Sequence, residues 1–591
     1  MKQYWTIKNK KDDFLKICQE HGVTEVTARL LVNRGLTTKQ ERDAYLHPSF
    51  SCLPSPKLLK NAEAAAEMIA EGIQAGKKFR IIGDYDVDGI MSVYILYRCM
   101  TEAGAVVDYR IPDRIKDGYG LNEDMVQECI DAGVEIIVTC DNGIAALEPI
   151  RLAKKAGITV VLTDHHEVPM LETESGFVKT MPVADIIVNP KQEGETTPMT
   201  GICGAVVAYK VMRCMAEQMG LPDALLWQMI PYAAMATVCD VMELKGENRT
   251  MVALGLKLLR ESSDMGINAL IVENQIVKEN IGAYHMGYVL GPCLNASGRL
   301  DVAVKGLRLL LCTNPAEAAE LAQEITELNR VRKEMTAKGV EEAKKQITEW
   351  VAESGELPPV LVVYLPDCHE SLAGIIAGRI RERYYRPTII LTDAEDGCKG
   401  SGRSIDGYHM YEALCEVQEL FTKFGGHPKA AGLSLPKENV EIFQKRLVEN
   451  CRLTEEDLTE KVSIDVVLPF GLVTEQVIDE LELLEPFGVG NEKPLFAERN
   501  LKLHRARILG KNANVLKLDA ENIHGRQFEV LYFGDIEAFE QDMEETFGKD
   551  AVNRLYQGRE NTIRINMIYY PDKNVFRDKV TLQAVMQHYK V

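Results

Sequence analysis

Between residues 78 and 164 the chain alternates short Val/Ile-rich runs with amphipathic stretches, and nothing else in it restricts the fold as tightly. "KKFRIIG", "VVDYRIP", "VEIIVTCD" and "ITVVLTD" read as strands, and "GIMSVYILYRCMTEAG", "NEDMVQECIDAG" and "ALEPIRLAKKAG" as helices. Nearly continuous apolar strands separated by helices specify a parallel sheet covered on both faces, an α/β fold. Ligands of such sheets bind beyond the carboxyl ends of the strands. Acidic residues collect there. Asp84, Asp86 and Asp88 stand at alternate positions in "DYDVDG", and Asp141 ("TCDNGI") and Asp164 ("LTDHHE") each follow a strand. Asp240 ("ATVCDVMEL") follows a helical run and can close the site from another side. Carboxylates this close raise one another's pKa unless a cation neutralises them.

The candidate ligands are therefore Asp84, Asp86, Asp88, Asp141, His165, His166 and Asp240. Carboxylates with imidazoles and no nearby cysteine suit Mn²⁺ or Mg²⁺ better than structural zinc. Two such ions roughly 3.5–4 Å apart, sharing carboxylates, would serve phosphoester hydrolysis, and Asp141, alone on its strand end, is placed to bridge them. Each motif also has a plain reading. Asp164 could cap a helix beside two surface imidazoles, Asp141-Asn142-Gly143 could be a turn, and "DYDVDG" could open a calcium loop. The calcium loop fails because no acid stands six residues after Gly89. Four acidic motifs, three on one sheet edge, indicate a dinuclear centre.

A chain of 591 residues needs several domains. Residues 1–60 read as a helical lead-in, and 61–312 as the catalytic α/β domain. Residues 313–354 read as one long connecting helix, with Asn314 as N-cap, Pro315 in the first helical position and Glu317 suited to a capping box. Its thin apolar stripe (Leu321, Ile325, Leu328) suggests a strut. A second α/β segment spans 355–458, and 459–591 holds short alternating stretches of a small barrel or sandwich. The net charge of −20 argues against a nonspecific nucleic-acid coat but allows a local basic groove. No stretch is long and apolar enough to span a membrane. Fourteen cysteines without CxxC pairs read as free thiols of a reducing cytoplasm.

The order of "GDYDVDG", "PDRIKDGYGLN", "CDNGI", "TDHHE", "VNPKQ", "CGAVVAYK", "GPCLNASGRLD", "GSGRSI" and "GGHPKAAGLSL" resembles the DHH phosphoesterase superfamily in its RecJ branch of single-strand-DNA exonucleases. The resemblance implies a parallel-sheet DHH domain, a long helix, a DHH-associated α/β domain and an OB-like domain. It implies a 5′→3′ exonuclease of single-stranded DNA acting in repair and recombination, with two Mn²⁺ or Mg²⁺ ions. It assigns Asp86, Asp88, Asp141, His165 and Asp240 as ligands, with Asp84 added because Ile82 stands where relatives carry a histidine. His166 and Asn295 or Arg299 would hold phosphate oxygens, while Cys293 replaces an expected arginine. Arg114, Tyr119, Arg379, Arg403 and Ser404 would contact DNA. Gly425, Gly426 and His427 would form an amide cradle, the glycines being as readable as a tight left-handed turn. A monomer is expected, with a single-strand-binding protein and a helicase as candidate partners. The alternatives are a phosphodiesterase of short oligonucleotides or cyclic dinucleotides, and an inactive DHH-fold scaffold.

Overall fold

The computed structural model describes residues 3–591 except 115, 119, 174–175, 199, 301–302, 511–512 and 577–578. The chain forms two compact units. One comprises Trp5–Ser263, Ile276–Gly291 and Ser463–Val591, and the other comprises Met1–Tyr4, Asp264–Gln275 and Pro292–Val462.

The first unit holds a five-stranded sheet in the order Val106–Arg110, Lys78–Ile82, Ile136–Cys140, Thr159–Thr163, Ile186–Val188. Every neighbouring pair is parallel. The central strand Ile136–Cys140 is buried throughout, which is why it reads as an unbroken apolar run. The helices Val87–Glu102, Glu123–Asp131 and Leu147–Lys155 are the crossovers expected between strands. The same unit contains a closed barrel, in the order Phe496–Leu509, Val515–Glu521, Gln527–Tyr532, Lys579–Lys590, Arg564–Phe576. Antiparallel pairing of Phe496–Leu509 with Arg564–Phe576 closes the ring, and the two-residue strand Val466–Val467 pairs beside Phe496.

The N-terminal helices Phe14–His21, Glu25–Asn33 and Lys39–Leu46 are more than a lead-in. Their Ile17, Leu30, Leu31 and Leu46 belong to one core with Phe470, Leu481, Phe496 and Tyr569. The buried Glu480 carboxylate accepts hydrogen bonds from the Thr24 amide (2.8 Å) and from the Thr24 and Thr27 hydroxyls (both 2.6 Å). Arg249, on the helix Gly246–Glu261, lays its guanidinium 3.6 Å from the Tyr45 ring centre and donates to the carbonyls of Tyr45, Leu483 and Glu485. The two ends of the chain thus close over a catalytic-region helix. Sequence distance hid this arrangement, because a core shared by residues 17 and 569 leaves no local pattern.

In the second unit the helix Pro315–Ser354 begins at Asn314, whose side chain accepts from the Ala316 and Glu317 amides. Glu317 pairs with Arg308 at 3.4 Å, so the expected capping box gives way to a simple cap. The helix packs along its apolar stripe against the rest of its unit. Leu321, Ile325, Ala343 and Ile347 are buried, and a Cβ at Gly339 would stand 2.5 Å from Ile376. It rests on a mixed sheet ordered Lys423–His427, Ala430–Leu435, Gly397–Arg403, Thr388–Ala394, Leu361–Tyr364, of which only the last pair is parallel.

Candidate metal centre

The site forms at the carboxyl edge of the parallel sheet. Asp84 follows the strand Lys78–Ile82, and the chain then turns so that Asp86 caps the helix Val87–Glu102, its carboxylate accepting from the Gly89 amide at 3.1 Å. Gly89 is required, since a Cβ there would lie 2.4 Å from the Asp84 carbonyl oxygen. Asp88 directs both oxygens to the opening of the helix Gly204–Met219, accepting from the amides of Gly204 (2.6 Å) and Ala205 (2.7 Å). A helix N-terminus stabilises an anion in this position. Asp141 adopts φ +60, a left-handed conformation that Asp tolerates better than most residues. Asp240 ends the helix Asp223–Cys239, and the next residue, Val241, is also left-handed at φ +58. A β-branched residue in that state costs on the order of 1–3 kcal/mol, strain typical of functional sites.

Three ligand triads overlap here: Asp84/Asp86/Asp141, Asp88/His165/Asp240 and Asp141/His165/His166, with the donor atoms of each within 4.8 Å of one another. His165 Nε2 lies 3.0 Å from Asp141, 3.5 Å from Asp88 and 3.7 Å from Asp240. Asp141 and His165 each belong to two triads, the arrangement two ions sharing ligands require. The donor set fits hard divalent cations. Asp84 Oδ1 and Asp240 Oδ2 are buried without a hydrogen bond among the described residues, as ligand atoms held for an ion would be. Ile82 is fully buried in the apolar core, and Asp84 stands in the ligand set.

The electrostatics carry the same message. Burial, reinforced by neighbouring carboxylates, pushes Asp84 up to about 7 and Asp240 up to about 8. It also raises Asp86 and Asp141, with Asp88 beside both. Burial lowers the imidazole of His165, leaving it a neutral donor. Burial works against charge on His166, yet its 2.8 Å hydrogen bond to Asp164 prevails and raises it.

Asp164 was legible as an acid on the sheet edge but not in its role. Its carboxylate is buried and also accepts from the amides of Ile144, His165 and His166. Those bonds hold it ionised despite burial and orient both imidazoles. Lys191, just beyond the three-residue strand Ile186–Val188, ion-pairs with Glu167 at 3.1 Å and adds positive field at His165 and Asp240. "VNPKQ" marked its place without a mechanism. Arg114 lies over Tyr85 of the metal loop, 5.2 Å from the ring centre. Tyr119 lies outside the described residues.

The other predicted residues belong to the second unit. Arg299 donates to the Ser371 carbonyl at 2.5 Å, and Asn295, on the same helix, is half-buried. Cys293 is buried and receives a hydrogen bond from Asn329 at 3.1 Å, and Arg332 donates to the same Asn329. Arg379 is exposed on the helix Ala373–Tyr384. Arg403 ends its strand, donates to Ser401 and Gly402, and is lowered by burial and then by Arg381 nearby. Ser404 is 1% exposed and donates to the Tyr408 carbonyl at 2.6 Å. Its hydroxyl holds a turn, which corrects its reading as a DNA contact. Gly425 and Gly426 take neither a left-handed turn nor a cradle loop. They lie in the exposed edge strand Lys423–His427, where a Cβ at Gly426 would meet the Ala430 carbonyl at 2.5 Å. His427 is exposed beside them and accepts from the Lys429 amide.

A parallel-sheet edge carrying overlapping acid/imidazole triads defines a metal-dependent phosphoesterase of the DHH fold. The model of the DHH family N-terminal domain matches residues 78–237, that of the DHHA1 domain 357–452 and that of the RecJ OB domain 464–588. The single-stranded-DNA-specific exonuclease RecJ of Escherichia coli is 33% identical over 518 residues, covering 84% of this chain and 86% of that protein. RecJ of Bacillus subtilis is 36% identical over 529 residues, covering 88% of this chain, which spans only 64% of that longer relative. The crystal structure of RecJ with Mn²⁺ from Thermus thermophilus superposes with a TM-score of 0.80 at 26% identity, covering 100% of this chain and 80% of that one. The chain belongs to the RecJ family of DHH phosphoesterases.

Proposed function

We propose that this protein is a single-strand-specific DNA exonuclease that hydrolyses phosphodiester bonds from the 5′ end and releases nucleoside 5′-monophosphates. The observation that carries the proposal is the pair of triads joined through Asp141 and His165 at the sheet edge. Asp84, Asp86 and Asp141 would hold one Mn²⁺ or Mg²⁺, and Asp88, His165 and Asp240 the other. Bound there, two divalent ions supply activation of water and neutralisation of charge at phosphorus.

The protein groups divide the remaining tasks. His166, whose Nδ1 is hydrogen-bonded to Asp164, presents its Nε2 to a non-bridging oxygen and stabilises charge that grows in the transition state. Asp164 fixes the ring so that no reorientation is needed during reaction. Arg114, whose guanidinium lies over the Tyr85 ring, is the candidate for the phosphate next along the strand. Arg299 and Asn295 are the candidates for the terminal phosphate, and Arg379, Arg403 and His427 for the backbone further on. The barrel belongs to a fold that grips single strands by stacking and backbone contact. Cytoplasmic repair and recombination is the setting this activity suits, with a monomer working beside a single-strand-binding protein and a helicase. All fourteen thiols are free, and no helix among the described residues is long and apolar enough to cross a membrane.

The test is one oligonucleotide labelled at either end, free and annealed, with Mn²⁺ and with EDTA. Mononucleotides released first from the 5′ label of the free strand, with the duplex resisting and EDTA abolishing the reaction, is the expected outcome. Prior loss of the 3′ label, equal rates on blunt duplex, or cleavage confined to dinucleotides would overturn it.

A further inference from the structure

Tyr284 and Tyr288 are 65% and 70% exposed, yet their rings stack on each other with centroids 5.3 Å apart and planes inclined by 18°. Single exposed aromatics need no explanation, but an ordered pair held in water does. The backbone beneath them is built for it. Residues Met286–Leu290 form a π-helical turn, a rare conformation that concentrates at functional sites. This turn sits on the last turn of the helix Asp223–Cys239, whose cap is the ligand Asp240. Gly287 approaches Val238 so closely that a Cβ would stand 3.1 Å away, and a Cβ at Gly291 would lie 2.3 Å from Cys239 Sγ. Cys239 donates its thiol to the Met286 carbonyl at 3.5 Å. The tyrosine pair is therefore fixed to the two residues that precede Asp240.

We propose that Tyr284 and Tyr288 form a stacking platform for an unpaired nucleobase of the strand whose phosphate lies at the metal centre. This rests on the single-strand reading of that centre. A strand that delivers its phosphate to a buried edge must present unstacked bases, and an unstacked base gains most from a flat π face. Every base has such a face, so the contact holds any sequence, as an exonuclease requires. The fixed link to Asp240 keeps platform and metal in register while the strand advances.

The experiment compares wild type with the double variant Tyr284→Leu/Tyr288→Leu and with Tyr284→Phe/Tyr288→Phe, using Mn²⁺-loaded full chain. Substrates are a single-stranded oligonucleotide and a series of it with one abasic position stepped along the strand. The Leu variant should raise KM about tenfold with kcat within about twofold, a loss within the range of one stacked base. The Phe variant should match wild type, because the ring and not the hydroxyl does the binding. One abasic position should cost wild type a similar factor and cost the Leu variant nothing further, the mark of one shared contact. Unchanged KM in the Leu variant would overturn the platform and leave the pair to a protein surface. Additive losses at every abasic position would overturn it as well. Failure of wild type to degrade single strands would instead remove the reading on which the platform rests.

Discussion

Two groups of buried charge in the first unit are handled in opposite ways. Around the helix Gly246–Glu261, Lys210 and Glu247 pair at 2.7 Å with side chains 1% and 3% exposed, and Arg249 is met by three carbonyls and the Tyr45 ring. Lys210 and Glu247 neutralise each other, and the Arg249 guanidinium faces carbonyl dipoles. At the sheet edge, Asp84, Asp86, Asp88, Asp141 and Asp240 gather beside His165, and the carboxyls of Asp84, Asp86, Asp141 and Asp240 are held above their ordinary range. That charge is balanced only when cations arrive. Burial alone therefore does not distinguish a structural site from a catalytic one; the unpaired sign does.

The largest effect expected from this contrast is at Asp141. Asp141→Asn keeps the left-handed backbone, since Asn also tolerates positive φ, but removes the carboxylate common to two triads. Turnover with Mn²⁺ should fall by at least about 10³, the upper end of what one preorganised electrostatic group supplies. The metal-free protein should at the same time melt no lower than wild type, because Asn carries no group whose ionisation burial and the neighbouring carboxylates oppose. A variant that lost both activity and stability would place Asp141 with the balanced group instead.

Glu247→Gln should do the reverse. It leaves Lys210 buried without a counter-charge, and breaking one partner of such a pair costs about 3–5 kcal/mol. The protein should unfold at lower urea while the kcat of the folded fraction is unchanged. Replacing both partners, Lys210→Met with Glu247→Leu, should restore most of the loss. If the double variant were as weak as the single one, the pair would have a role beyond mutual neutralisation.

The pH dependence sharpens the contrast further. Asp84 and Asp240 sit at about 7 and about 8 in the metal-free fold, against ~3.9 for an unfolded aspartate. The folded state binds protons that the unfolded chain releases. The stability they contribute is fully present below the unfolded pKa and is lost as pH rises through about 7 to 8. Cation binding needs the deprotonated forms, so the stabilisation by Mn²⁺ should grow over the same interval. Melting temperatures of EDTA-treated and Mn²⁺-loaded protein at about pH 6 and 8.5 should differ by only a few degrees at the lower pH and by more at the higher. A constant gap would mean that these carboxyls are not the ligands.

What could be read from sequence follows from how local the cause is. Val/Ile strands ending at Asp84, Asp141 and Asp164 announced both the parallel sheet and its acidic edge, because alternation and strand ends lie within a few residues. The Asn314 cap and Pro315 start of the long helix were legible for the same reason. The shared core of Leu30 with Phe496, the strand Ile186–Val188 and the π-turn under Tyr288 were not, since each depends on partners far along the chain. In the site, ligand identity was visible in residue type. The orienting work of Asp164 was hidden, as an aspartate that binds amides and one that binds metal look alike in sequence.

The smallest effect concerns the second unit, whose candidate contacts are single exposed or half-buried cations. Arg403 has no carboxylate partner among the described residues, and burial with Arg381 nearby disfavours its charge until an anion is present. His427 stands exposed at the end of the edge strand. Groups that grip backbone away from the scissile bond help only substrates long enough to reach them. Arg403→Ala and His427→Ala should each raise KM for an oligonucleotide of about twenty residues by roughly three- to tenfold, with dinucleotide hydrolysis unchanged. Arg403→Ala should also reduce the salt dependence of binding by about one phosphate contact, a slope change near ~0.7 for a single strand. Equal losses on long and minimal substrates would move these residues from the path of the strand to the reacting centre.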